Sequence, residues 1–245
     1  MMRTGFLITE DRQKIAYNHY KNGNKKVVII IHGFYNSKDS ALLRNLSEEL
    51  FKDYDVFIFD LRGHGQSTGA FTWTSRERSD LEAVLDYLKG KYSKMAIIAF
   101  SLGGSISINT LSRAEKQVDS LICISVPSDC SRIDYKWWRL DLENDIYYTL
   151  LTKEGRKGKG TRIGPFWLPK ESPIDNMEKI TAPTLFIHGD RDWVVDKRHS
   201  EALHKRTNTR KRLVIIENGP HAEYLIRKHP LKIFEEIKNW LKATI

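Results

Sequence analysis

A serine between an apolar strand-like run and an apolar helix-like run constrains the fold more than any other feature of the chain. Residues 95–98 (MAII) have the pattern of a short buried strand, and residues 105–111 (SISINTL) continue with apolar side chains at helical spacing. Ser101 lies between them, with Ala99 and Gly103 two positions to either side. This is the layout of a nucleophile elbow, whose tight turn leaves room only for small flanking residues. The usual first flank is glycine rather than alanine, and strand–glycine–helix junctions also occur as plain structural turns.

Four other apolar runs have the pattern of buried strands and end in turns that combine glycine with polar side chains. In chain order they are residues 27–31 before HGF, 55–59 before DLRGHGQS, 183–187 before HGDRD, and 213–216 before ENGPH. A hairpin is expected at residues 6–19, and helices near residues 38–51, 75–91, 102–115, 196–205 and 231–242, the second with a capped start at Ser75. This alternation predicts a mostly parallel sheet covered by helices on both faces.

Together these motifs resemble the α/β-hydrolase superfamily over nearly the whole chain, in the order serine, acid, histidine that this family uses. The resemblance implies an α/β fold with a mostly parallel eight-stranded sheet and a small cap inserted after the sixth strand. The expected division is a core of residues 1–127 and 181–245, with the cap at residues 128–180. A serine at 101 argues against the haloalkane dehalogenases and epoxide hydrolases. The chain looks most like the carboxylesterase, feruloyl-esterase and monoacylglycerol-lipase-like branches.

Serine needs a base to take its proton and a third group to orient that base. The resemblance makes Ser101 the nucleophile and His221, after the last strand, the base. The family's pattern places the acid three residues after a glycine and three before a valine, so the resemblance makes Asp192 the expected acid. Asp190 is the second candidate and is expected to order the turn through backbone N–H groups. Asp129, after the preceding strand, is a more remote candidate.

An oxyanion hole needs backbone N–H donors aimed at the developing negative charge. The resemblance assigns one donor to Leu102, directly after the nucleophile, and the other to Phe34. Gly33 leaves that turn free to point its donor inward. His64 belongs to a loop that the family uses structurally, and no chemistry is assigned to it.

The regular alternation of strands and helices stops between about residues 128 and 180, where seven aromatic residues are interleaved with Lys, Arg and Gly. Cap aromatics either line an apolar substrate pocket or only pack the cap onto the sheet. The pocket residues expected from the resemblance are Tyr35, Trp138, Trp167, Trp193 and Val194. The basic segment at residues 153–162 is expected to be an exposed tip of the cap.

Composition narrows the remaining classes. The formal charge of +9 is best explained by solvated loops, although basic clusters at residues 153–162 and 205–212 also suit anionic substrates. No nucleic-acid-binding motif accompanies the charge. No apolar run approaches the roughly 18 residues of a membrane span, and no stable membrane insertion is expected. The N-terminus lacks a secretory pattern and two cysteines make no disulfide framework, so a cytoplasmic location is the default expectation.

These features predict a serine hydrolase that cleaves small-molecule carboxylic esters through an acyl-enzyme, with no cofactor. A metal site at His188, Asp190 and Asp192 is disfavoured because no further ligand set with recognised spacing accompanies them. The alternatives are an acyl-CoA thioesterase that uses the same triad, and a non-catalytic binding protein of the same fold. The sequence leaves the oligomeric state and the physiological substrate open.

Overall fold

A computed structural model of the chain describes residues 1–114, 118–131, 135–136, 138, 147 and 160–245. Its strands are β1 Met2–Ile8, β2 Lys14–Tyr20, β3 Lys26–Ile31, β4 Asp55–Phe59, β5 Lys94–Phe100, β6 Ser120–Ile124, β7 Thr184–Gly189 and β8 Lys211–Ile216. They form one eight-stranded sheet in the order β1-β2-β4-β3-β5-β6-β7-β8. Only the β1–β2 and β2–β4 pairs are antiparallel. The predicted mostly parallel sheet is confirmed.

The central strands are apolar on both faces, as a parallel sheet covered on both sides requires. Within β3, Ile29 and Ile31 belong to one buried cluster, whereas Val28 and Ile30 belong to the other. Ile29 pairs with Phe57 on one side and Ile97 on the other. The period of two along each strand therefore divides one continuous apolar run between two cores.

Helices cover both faces of the sheet, as predicted. They are α1 Ala41–Leu50, α2 Arg78–Leu88, α3 Leu102–Leu111, α4 Pro173–Asn176, α5 Arg198–Arg206, α6 Tyr224–Lys228 and α7 Pro230–Thr244. Side chains of α2, α3 and α5 pack in the first cluster, and those of α1, α6 and α7 in the second. In α7 the buried residues fall at helical spacing, Ile233, Ile237, Trp240 and Leu241.

The helix predictions are correct in number and order for the five long helices, and they differ at the ends. α2 does not begin at a Ser75 cap. Its first turn follows Glu77, whose carboxylate accepts bonds from the backbone N–H and the hydroxyl of Thr72. The short helices α4 and α6 have too few residues for a readable period and were not predicted from the sequence.

The functional end of the sheet is fixed by its topology. From β3 the chain moves to β4 on one side and then to β5 on the other side. Open parallel sheets bind ligands at such a switch point, at the carboxyl ends of the strands. The turns after β3 and β5 carry Gly33 and Ser101, so the switch point brings together the predicted nucleophile turn and the turn predicted to carry an oxyanion donor.

The predicted cap at residues 128–180 is described only in part, and its boundaries stay a prediction. The basic tip at residues 153–159 lies outside the described residues. Next to β7, α4 and a 3₁₀ turn at Met177–Lys179 pack on the core, where Met177 is fully buried. Isolated bridges join Thr161 to His64 and Ile163 to Phe71. Among the described residues, no helix has the length and apolar character needed to cross a bilayer.

Candidate active site

Ser101 occupies a strained turn between β5 and α3. Its φ of 50° and ψ of −125° lie in a region that non-glycine residues rarely adopt. The turn is held because the Ser101 N–H donates to Ile124 O and its carbonyl accepts from Gly104 N–H, each at 2.9 Å. A Cβ on Gly103 would lie 2.5 Å from the backbone oxygen of His32. The turn thus accepts only glycine at 103, and the hydroxyl is left at the edge of the sheet.

The structure brings the predicted serine, histidine and acid into one chain of hydrogen bonds. His221 Nε2 lies 3.1 Å from Ser101 Oγ, and His221 Nδ1 lies 2.7 Å from Asp192 Oδ2. Asp192 is fully buried and Ser101 is 7% exposed. With the Nδ1 proton held by the carboxylate, Nε2 is free to accept the proton of the serine hydroxyl.

Two glycines allow two turns to meet: the turn after β7 that carries Asp192, called the acid turn, and the turn after β8 that carries His221, called the histidine turn. A Cβ on Gly189 would lie 2.1 Å from the carbonyl oxygen of Gly219. The same carbonyl accepts the Arg191 N–H at 3.1 Å. On the other side of the histidine turn, the Ser125 hydroxyl accepts the Ala222 N–H at 3.0 Å. These contacts fix the loop that carries His221 against the loop that carries the carboxylate.

Asp192 is held through both of its oxygens. Oδ1 accepts the backbone N–H groups of Val194 and Val195 at 2.9 and 2.8 Å, the turn-ordering role that was expected of Asp190. Burial alone would raise the pKa of Asp192, but the charge of His221 and hydrogen bonds from His188 and His221 keep that pKa below its usual value. The carboxylate therefore stays ionised. Asp129 instead caps its own loop, accepting from the backbone and hydroxyl of Ser131.

The turn that carries Phe34 lies directly against the nucleophile. A Cβ on Gly33 would lie 3.0 Å from the Ser101 Cβ. The Gly33 carbonyl is held by His32 Nδ1 at 2.7 Å. Because C=O and N–H point in opposite directions in a trans peptide, this bond also fixes the direction of the Phe34 N–H. Leu102 provides the first N–H of α3, immediately after Ser101.

Buried polar residues support this turn, and two of them, Asn36 and Glu223, were not predicted from the sequence. His64 is completely buried, and its Nε2 accepts the Tyr35 N–H at 3.3 Å. The Asn36 side chain donates to Glu223, which links the turn after β3 to the turn that carries His221. These two residues are buried and 187 positions apart, so no local pattern signals their contact.

The predicted pocket residues differ in their exposure. Tyr35 is 40% exposed and has a φ of 58°. Trp193 and Val194 are half-buried in the acid turn, whereas Trp138 and Trp167 are 77% and 72% exposed. Trp73, which was not predicted, stacks on Phe34 with ring centroids 4.7 Å apart. Within the described residues there is no cluster of three or more His, Cys, Asp or Glu suited to a metal ion.

Comparisons with known proteins indicate the family to which the chain belongs. A family described as alpha/beta hydrolase fold matches residues 26–145, and one described as Serine aminopeptidase, S33, matches residues 171–224. The Bacillus subtilis protein YqkD is 27% identical, over 87% of this chain and 71% of its own length. For Escherichia coli YfhR the values are 22%, 79% and 62%, so this chain spans less than two thirds of that relative.

A solved esterase from Pyrococcus furiosus superimposes with a TM-score of 0.78 and 25% identity, covering 100% of this chain and 93% of the esterase. The chain belongs to the α/β-hydrolase superfamily. Within that superfamily, its relatives and its site support a hydrolase as the broad class of activity.

Proposed function

We propose that this protein is a serine hydrolase that cleaves carboxylic esters of small molecules through an acyl-enzyme. The proposal rests on two consecutive hydrogen bonds. One joins Ser101 Oγ to His221 Nε2 at 3.1 Å, and the other joins His221 Nδ1 to Asp192 Oδ2 at 2.7 Å. The Gly33–Phe34 turn beside the serine supports it. A solved esterase with the same fold gives independent support.

In the first half-reaction, Ser101 Oγ attacks the ester carbonyl carbon while His221 Nε2 takes the hydroxyl proton. The carbonyl oxygen becomes an oxyanion that accepts the N–H groups of Phe34 and Leu102. When the tetrahedral intermediate collapses, the carbon–oxygen bond to the alcohol breaks, and His221 gives its proton to the leaving alcohol. Asp192 stabilises the imidazolium that exists between these steps.

In the second half-reaction, water replaces the alcohol. His221 takes a proton from the water as its oxygen attacks the acyl carbon, and the same N–H donors hold the second oxyanion. Collapse breaks the bond to Ser101 Oγ, which recovers its proton from His221. The products are the carboxylic acid and the alcohol, so ester and water balance the reaction without a cofactor. Tyr35, Trp193 and Val194, with Trp138 and Trp167 of the cap, are the proposed pocket residues.

The test is hydrolysis of p-nitrophenyl esters from acetate to palmitate by the wild type, by Ser101→Ala and by Ser107→Ala. Ser107 is a matched control because it is a buried serine of α3 whose hydroxyl donates to the Gly103 carbonyl at 2.8 Å. The proposal expects turnover that disappears in Ser101→Ala and persists in Ser107→Ala. Turnover of acyl-CoA alone would change the proposed substrate class from ester to thioester, and turnover of anilides alone would change it to amide. Absence of turnover on all of them by the folded protein would favour a binding role.

A further inference from the structure

A second buried histidine contacts the acid of the triad. His188 lies near the end of β7 and is completely buried. Its Nε2 lies 3.2 Å from Asp192 Oδ2 and 2.8 Å from the carbonyl oxygen of Val195. Asp192 Oδ2 is therefore shared by two imidazole rings, since His221 Nδ1 approaches the same oxygen at 2.7 Å.

The surroundings of His188 determine where its proton lies. Both neighbours of Nε2 are acceptors, a carboxylate and a carbonyl, so Nε2 must carry a hydrogen. At the other nitrogen, Nδ1 lies 2.6 Å from the Ser200 hydroxyl. A neutral ring with the proton on Nε2 satisfies both nitrogens, because the Ser200 hydroxyl donates to Nδ1. This places a fixed N–H donor beside the acid, in the dry interior.

We propose that His188 is a positioning residue of the triad, whose Nε2–H shares Asp192 Oδ2 with His221 and limits how strongly the carboxylate binds the His221 imidazolium. The inference rests on the proposed function for its role in catalysis. The side chain touches neither the nucleophile nor substrate. It acts through Asp192. Without the His188 donor, the negative charge on Oδ2 would interact more strongly with the His221 ring.

The direction of the effect follows from the other oxygen of the carboxylate. Oδ1 is anchored by the N–H groups of Val194 and Val195, so Asp192 keeps its orientation when the His188 donor is removed. Oδ2 then keeps the hydrogen bond from His221 Nδ1 without the competing His188 donor. An anion with fewer competing donors stabilises the neighbouring cation more strongly. The pKa of His221 should therefore rise in a variant without the donor, and the base should be protonated at higher pH.

The other charged groups near the triad have partners that this substitution leaves in place. Asp196, at the end of the acid turn, is paired with Lys136 and Arg198. Glu223, two residues after His221, accepts from Asn36. A change in the His221 titration on replacing His188 is thus assigned to Asp192 Oδ2.

The first experiment needs no substrate. Nitrogen-15 spectra of the histidine rings give the tautomer of His188 in the wild type and the pKa of His221 in the wild type and variants. His188→Leu removes the donor, His188→Gln restores an N–H, and His19→Gln is the matched control, because His19 is buried and bonds Tyr92 far from the triad. The expected result is an Nε2–H tautomer, with the His221 pKa raised by about 0.5 to 1 unit in His188→Leu. His188→Gln should recover most of this shift, and His19→Gln should not move it.

The second experiment measures kcat/KM against pH with the best ester. The acidic limb of His188→Leu should move to higher pH by the same amount, with KM nearly unchanged, because His188 contacts Asp192 and not the substrate. A purely structural role would lower the unfolding midpoint without moving the His221 pKa. That result, or an Nδ1–H tautomer in the wild type, which needs no variant to fold, would overturn the inference. If no ester is hydrolysed, the spectra still decide it.

Discussion

Replacing Asp192 by asparagine should disable the base by forcing the wrong tautomer on His221. Oδ1 of Asp192 accepts two backbone N–H groups, from Val194 and Val195. An asparagine side chain must therefore keep its oxygen at that position and place its amide nitrogen where Oδ2 now lies. That nitrogen donates and does not accept. His221 Nδ1 would then have to accept, so the ring proton would move to Nε2, facing Ser101.

The size of the effect follows from this geometry. With a proton on Nε2, His221 cannot take the serine proton at the observed 3.1 Å separation. Swapping an acid for its amide at this place in a triad costs on the order of 10⁴ in kcat, which corresponds to about 5 kcal/mol of transition-state stabilisation. The amide nitrogen would also face the Nε2–H of His188, adding a donor–donor contact that is absent from the wild type.

The assay is kcat on the best p-nitrophenyl ester near pH 8, with Asp190→Asn as the matched control in the same turn. Asp192→Asn should fall by 10³- to 10⁴-fold, while Asp190→Asn should stay within about threefold of the wild type because no step of the proposed reaction uses its charge. Circular dichroism confirms that both variants are folded. Equal losses in the two variants, or an Asp192→Asn variant that keeps a tenth of its activity, would refute the tautomer argument.

Three further outcomes are expected. Gly103→Ala should lower the free energy of unfolding by at least about 2 kcal/mol in urea, because the added Cβ would meet the His32 carbonyl at 2.5 Å; an unchanged midpoint would contradict this. Burial lowers the pKa of His19 from 6.5 to about 4. As the pH falls, His19 is therefore protonated in the unfolded chain before it is protonated in the folded chain. The free energy of unfolding should be highest above pH 6.5 and decline by roughly 2–3 kcal/mol towards pH 4. His19→Gln should flatten that dependence, and equal slopes would count against it. Glu223→Ala leaves the buried Asn36 amide without its acceptor, so kcat should drop about tenfold with a stability loss of about 1–3 kcal/mol; a loss of stability alone would reduce the link to a structural one.

The sheet could be predicted because its strands are long apolar runs separated by glycine-containing turns. The two-core burial of β3 follows directly from such a run. The ends of the helices could not be predicted as well. Glu77 rather than Ser75 precedes α2, and its carboxylate accepts from the N–H and hydroxyl of Thr72, five residues earlier. Helix propensity alone does not indicate which of several nearby polar side chains makes such a bond.

At the site, the sequence indicated which residues carry reactive groups but not which residues hold them. Ser101, Asp192 and His221 stand in recognisable turns. His188 lies four residues before Asp192, and this spacing does not indicate that its ring lies 3.2 Å from Asp192 Oδ2. The Asn36–Glu223 bond depends on two turns that meet only in the folded chain. Supporting contacts of this kind are set by three-dimensional packing, and a single sequence leaves them unmarked.

The central claim is that Ser101 is an activated nucleophile, and covalent labelling tests it most directly. The folded protein is incubated with a fluorophosphonate probe, digested, and the modified peptide is identified by mass spectrometry. The account predicts a single adduct on Ser101, absent from Ser101→Ala, retained in Ser107→Ala and formed far more slowly in Asp192→Asn. No adduct on the folded wild type, or an adduct on a different residue, would contradict it.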